Sequence, residues 1–324
     1  MIAGRLEAEL HAALAMAEDP AASASERAEM LMEIAMGLQL RPKTPDHLIG
    51  AVALYDRALA LCPDGEPLLQ ARLSARRGTA LQAIPEEGTE SIERARHDYE
   101  RAIPVLASSG RPEEVAEAEM NLGLVLQYLA GTGRARITDA IAAYQRALRI
   151  FDRNRYPTEF AVLQNNLAAA FLSIPATDEA GKMREALAVQ AFEEGLKVVT
   201  LIDHPSEYAM LQNNLGNALQ YVSSGHAVEN NQRAIEAYDE ALKVRTRETT
   251  PIEYANTIAN KANCLMNVPD DPERPDRGND ANRARAKRYL EEARAIFSAQ
   301  GDVAKAKLVT EPLLELERNR ALAG

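Results

Sequence analysis

The chain has no tryptophan, five phenylalanines and two cysteines among 324 residues. Cys62 and Cys264 lie far apart in apolar sequence, forming neither a ligand cluster nor a redox pair, and are read as reduced, packed thiols. With so few large aromatics, alanine and leucine must fill the interior, which suits closely packed helices. Positive charge is also short: 37 Lys and Arg face 48 Asp and Glu, a formal net charge of −11. That favours solubility and disfavours polyanions, so nucleic acid is not expected as a partner. No apolar run is long enough to span a bilayer, and Glu7 and Glu9 interrupt the stretch where a secretory leader needs an unbroken apolar core. The expectation is a cytoplasmic protein with no membrane partner, and the compact Ala- and Arg-rich composition suggests a bacterial one.

Signs of catalysis are missing as well. His11, His47, His97, His204 and His226 make no pair at spacing three or four and no Glu-x-x-His motif, so no metal site is expected. AGTGRARI lacks the Lys-Ser/Thr pair and preceding strand of a phosphate-binding loop. The adjacent acids Glu86 and Glu87, and Glu193 and Glu194, lack apolar surroundings that would raise a carboxyl pKa. Neither an enzyme nor a cofactor is expected. Arginines interleaved with acids, as in RARHDYER and RTRE, read as a solvated helix surface with local ion pairs.

What the chain does have is repetition. LQNNLAAAF at 163–171 and LQNNLGNAL at 211–219 are near copies, and their small-residue column extends in both directions. It holds Ala35, Gly78, Gly123, Ala168, Gly216 and Ala262, at intervals of 43, 45, 45, 48 and 46 residues. Three positions on stand Leu38, Leu81, Leu126, Phe171, Leu219 and Leu265. A small residue lets a neighbouring helix approach, and the large one fills the space beside it.

A second amphipathic segment follows each of these. Its aromatic column is Tyr55, Tyr99, Tyr144, Phe192 and Tyr238, with Ala58, Ala102, Ala147, Gly195 and Ala241 three residues on; Leu290 takes the column in the looser sixth copy. Spacings of three and four indicate helix, not strand. Pro67, Pro112, Pro157, Pro205 and Pro251 open first helices, where a missing amide hydrogen costs little. Glu113, Glu159, Glu207 and Glu253 follow, at the positive helix end. The long polar connection NVPDDPERPDRGND is expected to be the most mobile. The organisation is therefore an N-terminal helix and turn at 1–24, a repeat array at 25–300 and a capping helix at 301–324, bent near Pro312.

The order of these features, NLGLVL with AIAAYQRAL and NLGNAL with AIEAYDEAL, resembles the tetratricopeptide repeat family over roughly residues 25–300. The spacing exceeds that family's usual period of about 34 residues, and its early tryptophan is absent. Longer helices and NNLG-type sequences give some likeness to the extended repeats of the kinesin light chain type. The resemblance implies an all-α, right-handed superhelical solenoid of about six extended helical hairpins plus terminal helices. It also implies that the first helices line a concave wall that receives a peptide or protein segment.

The asparagines fall in that context. The column two before the small residue reads Glu33, Arg76, Asn121, Asn166, Asn214 and Asn260, which in the family faces the groove. Asn165, Asn213, Asn217, Asn256 and Asn263 lie beside it. A primary amide offers two donors and an acceptor, so a row of them can pair with a peptide main chain whatever its side chains. Met120, Met210, Tyr128 and Tyr221 are candidate apolar anchors. The alternative is that the amides bond between adjacent helices and set the twist of the array. Arg72 and Arg76, four apart, match one basic pair of the family's carboxylate clamp without its lysines. They are candidates for holding an acidic side chain or terminus, or for ordinary ion pairing with Glu117 or a nearby acid. The leading expectation is a protein-interaction scaffold. Two rivals are a self-associating assembly protein, its groove filled by residues 302–322, and a regulatory subunit that senses a small effector and controls a partner enzyme.

Overall fold

The computed structural model describes residues 2–18, 21–86, 88–174, 179–222 and 226–323. Glu87 and the expected inter-helix connections at 175–178 and 223–225 lie outside the described residues. The chain is all-α, with no strand among the described residues, and it divides into two compact units, Met1–Asp152 and Arg153–Gly324. The first contains α1 (Ile2–Met16), α2 (Ala24–Leu40), α3 (Pro45–Leu61), α4 (Pro67–Gln82), α5 (Glu90–Ser109), α6 (Pro112–Gly131) and α7 (Ile137–Ala147). The second contains α8 (Pro157–Leu172), α9 (Glu179–Leu196), α10 (Pro205–Tyr221), α11 (Ala227–Leu242), α12 (Pro251–Leu265), α13 (Asp280–Ala299) and α14 (Val303–Ala323).

Each unit therefore holds three hairpins, α2–α3, α4–α5 and α6–α7 in one and α8–α9, α10–α11 and α12–α13 in the other, with successive helices packed together. First helices also touch along each unit: α2 with α4 and α4 with α6, then α8 with α10 and α10 with α12. Proline occupies the opening turn of α3, α4, α6, α8, α10 and α12, and Glu113, Glu159, Glu207 and Glu253 lie in first turns as expected. A reciprocal Ser23–Glu26 capping box begins α2. The segment 302–322, considered above as an occupant of the groove, instead packs as α14 against α13, and its helix runs through Pro312.

The two repeat columns meet inside every hairpin that carries glycine. A Cβ on Gly78 would stand 2.9 Å from Cζ of Tyr99, and one on Gly216 would stand 2.6 Å from Cε1 of Tyr238. The Tyr144 ring likewise occupies the space where Gly123 lacks a side chain. Tyr55, Tyr99, Tyr144 and Tyr238 are fully buried, so their hydroxyls need partners. The Tyr55 hydroxyl donates to Gln39 Oε1 at 3.0 Å and the Tyr144 hydroxyl to Gln127 Oε1 at 2.9 Å. Tyr99 has Thr79 Oγ1 at 3.1 Å with Gln82 Oε1 at 3.5 Å, and Tyr238 has Asn217 Oδ1 at 2.8 Å with Gln220 Oε1 at 3.4 Å.

A glutamine thus stands four residues after the small residue wherever the aromatic is tyrosine. Where it is Phe192 the same place holds Leu172, and where it is Leu290 it holds Met266. An apolar side chain brings no hydroxyl into the core, so no acceptor is needed.

Some charges read as solvated are buried between helices. Asp98, within RARHDYER, is 1% exposed and accepts two bonds from Arg77, at 2.8 and 2.6 Å; Arg77 also reaches Asp56 at 2.6 Å. Glu119 takes a two-point pair from Arg146 at 2.6 and 2.7 Å, and buried Lys261 pairs with Asp239. Within RTRE, Arg245 is half-buried and donates to Thr257 Oγ1 at 3.1 Å, and burial lowers its pKa. The connection from α12 to α13, expected to be mobile, is closed by hydrogen bonds. Asp270 accepts from the amides of Ala281 and Asn282 at 2.9 and 2.7 Å, and Asn279 Nδ2 donates to the Met266 carbonyl at 2.7 Å.

Candidate functional site

In the second unit a row of six asparagines on α8, α10 and α12 is bonded in two sets that each cross between first helices. Asn214 Nδ2 donates to Asn165 Oδ1 at 2.8 Å, linking α10 to α8. Asn260 Nδ2 donates to Asn217 Oδ1 at 2.8 Å, linking α12 to α10. Neighbours extend the row: Asn165 Nδ2 donates to Asn166 Oδ1 at 3.2 Å, and Asn213 Nδ2 donates to Asn214 Oδ1 at 3.0 Å. Bonding between adjacent first helices, the structural alternative weighed from sequence, is therefore present.

The row does not use every group. Asn213 is buried, and its Oδ1 accepts from the wholly buried Thr257 at 3.0 Å, so both ends of its amide are engaged within the chain. Asn217 Oδ1 accepts from Tyr238 and Asn260, while its Nδ2 has no partner among the described residues. The same holds for Asn166 Nδ2 and Asn260 Oδ1, and for the whole side-chain amides of Asn256 and Asn263. Asn166, Asn217, Asn256, Asn260 and Asn263 are all half-buried. On α12, Asn256, Asn260 and Asn263 follow at four and three residues and so share a face. On α10, Tyr221 lies seven residues after Asn214 on the same stripe and is 71% exposed.

The first unit carries a different version of this face. Asn121 on α6 is buried, and its Oδ1 accepts from Gln82 Nε2 at 3.4 Å. Tyr128, seven residues on, is 47% exposed. Arg72 and Arg76 on α4 each meet an acid of α6. Arg72 makes a two-point pair with Glu114 at 2.8 and 3.2 Å, and Glu114 also accepts from the Arg111 amide at 2.8 Å. Burial works to raise the Glu114 carboxyl, but the Arg72 hydrogen bond, the Arg111 amide and the two positive charges outweigh it and hold it below its ordinary range. Arg76 makes one bond, to Glu117 at 3.0 Å, with 36% and 41% of the two side chains exposed. The two candidate arginines are therefore unequal: Arg72 is fixed by a fork, and Arg76 holds a single contact between two partly exposed side chains. A cavity of about 30 Å³ between the pairs is lined by Tyr99, Leu106, Ala118 and Asn121, enough for about one water.

Sequence reasoning missed the glutamine acceptors and, having weighed bonding between adjacent helices, did not find which amides pair with which. The first had a visible signal, the matched alternation of Tyr with Gln and of Phe or Leu with an apolar residue. The second had none, because a bond between helices some forty residues apart depends on how neighbouring repeats are rotated.

No family model and no curated protein matches the chain. Solved structures do. BtubC (BKLC) from P. vanneervenii is similar with a TM-score of 0.51 at 18% identity, covering 75% of this chain and 89% of that one. MamA gives 0.41 at 16% identity over 67% and 99%, and Rap protein complexed with competence and sporulation factor gives 0.39 at 13% over 92% and 81%. At 18% identity the likeness to BtubC speaks for fold alone: the chain has a tetratricopeptide-like helical-repeat fold.

Proposed function

We propose that the protein is an interaction scaffold whose second unit binds an extended polypeptide segment across the first helices α8, α10 and α12. The observation that carries this reading is the set of half-buried amides with a donor or acceptor that has no partner among the described residues: Asn166, Asn217, Asn256, Asn260 and Asn263. The row has two tasks in this account. Its internal bonds hold neighbouring amides at fixed separation, and the remaining groups meet a main chain without demanding a particular ligand side chain. Each neutral bond contributes about 0.5–1.5 kcal/mol net, so affinity needs several of them and an apolar contact. Exposed Tyr221 supplies a ring with a polar tip at the end of the stripe.

In the first unit, taken by itself, Arg76 offers a place for one acidic group, and Arg72 holds Glu114 in a two-point pair. The reading assigns no chemical step to the chain. Site-specific photocrosslinking tests it. A benzophenone amino acid placed at Tyr221 should capture bound peptide from a random-sequence pool, and the same probe at exposed Glu236 on α11 should not. Equal labelling at both positions would remove the assignment.

A further inference from the structure

A separate surface lies on the last second-type helix. Residues 281–289 of α13 contain Arg283, Arg285, Lys287 and Arg288 and no acid, in a chain whose formal charge is −11. Several arginines elsewhere pair across helices: Arg72, Arg76, Arg77 and Arg146 each meet an acid of a neighbouring helix. Here Arg283, Arg285 and Arg288 have no carboxylate within ion-pair distance among the described residues, and Lys287 has Glu291 at 3.8 Å. Arg285 and Arg288 are exposed and three residues apart, so they share the solvent side; Arg283 and Lys287, four apart, border the buried stripe of Asn282, Ala286 and Leu290.

Of these cations only Arg283 lies close to the opening turn of the helix. Cations near an N-terminus face the positive end of the macrodipole. Asp280 stands in the first turn of α13, as Glu90 and Glu93 do in α5 and Glu229 in α11, and the basic run follows directly behind it. On α13 itself the opposite sign comes only from Asp280 before the basic run and from Glu291 and Glu292 after it.

We propose that the first half of α13 is a docking surface for a short acidic polypeptide segment. Charge complementarity sets the sign of the partner, and length sets its kind. Nine helical residues span about 14 Å, and the zone is bounded by Asp280 on one side and Glu291 and Glu292 on the other. An acidic segment of two or three turns fits inside those limits. A nucleic acid or an anionic bilayer would extend onto the acidic flanks and be repelled. The surface lies on a second helix and does not depend on the amide row.

The test uses the full chain and a fluorescent glutamate-rich peptide, followed by anisotropy at low salt. The expected result is binding to the unmodified protein, about tenfold weaker binding to R283Q/R285Q/R288Q, no change with R294Q, and loss as salt rises. Equal binding by the triple variant and the unmodified protein would overturn the proposal, as would absence of binding at low salt. A single-stranded oligonucleotide or phosphatidylserine vesicles serve as competitors; either one binding through these arginines more tightly than the peptide would also overturn it. Far-UV circular dichroism and an unchanged unfolding midpoint show that the three substitutions leave the fold intact.

Discussion

The ring of Tyr238 fills the space that a side chain on Gly216 would need, with Cε1 only 2.6 Å from where a Cβ would stand. The helix α10 can therefore lie directly on α11, and the same fit recurs at Gly123 with Tyr144. Gly216→Ala should lower stability by about 1–3 kcal/mol from overpacking, although alanine is the better helix former by about 1 kcal/mol. Gly37 in α2 has nothing within 4 Å of its hypothetical Cβ. Gly37→Ala should therefore be neutral or stabilising by up to about 1 kcal/mol. Urea unfolding midpoints of the two variants separate a packing glycine from a dispensable one.

The pairing of tyrosine with glutamine predicts a coupled exchange. Phe192→Tyr places a hydroxyl beside Leu172, where no acceptor stands at the glutamine position, and should cost about 1–3 kcal/mol. Leu172 is 38% exposed, so Leu172→Gln alone should cost little. The double variant should recover about 1 kcal/mol relative to the sum of the single changes, as read from a double-mutant cycle. Strict additivity would show that the alternation has no energetic basis.

The Arg77–Asp98 pair is deeply placed between helices, with Asp98 at 2% side-chain exposure. Asp98→Ala leaves the Arg77 guanidinium with its contact to Asp56 alone and should destabilise by about 3–5 kcal/mol. The surface pair Arg136–Asp139, with 81% and 41% of its side chains exposed, sets the comparison. Asp139→Ala should cost below about 1 kcal/mol. Thermal unfolding of the two variants measures the difference.

Glu114 gives a pH-dependent expectation. Its folded-state pKa is below its ordinary value, so its contribution to stability is full above the ordinary carboxylate range and is lost as pH falls through the folded value. Glu114→Gln should therefore be most destabilising near neutrality, and the gap from the unmodified protein should narrow in acid. Denaturation midpoints across the acid range provide the readout. A gap that widens in acid contradicts the Arg72–Glu114 assignment.

Much of the fold was legible because packing repeats it. Small residues in one column and aromatics in another fixed two helices per repeat, and proline with a following acid marked where first helices open. The buried charges were not legible: Asp98 in RARHDYER and Lys261 in NKANC look like surface letters until Arg77 and Asp239 on other helices come alongside. The asparagine column was visible as chemistry, yet its division between internal bonding and free groups was not. Asn213 and Asn217 differ by only four positions, but one is turned toward Thr257 while the other keeps an unused donor.

That division allows binding and stability to be measured apart. Asn256 and Asn263 have no side-chain partner among the described residues, so Asn256→Ala and Asn263→Ala should leave the unfolding midpoint nearly unchanged. Peptides selected from a random library on the unmodified protein should bind the double variant about tenfold more weakly, the loss expected from two hydrogen bonds. Affinity preserved within about twofold, with the fold intact, would contradict the claim that these first helices receive a polypeptide chain.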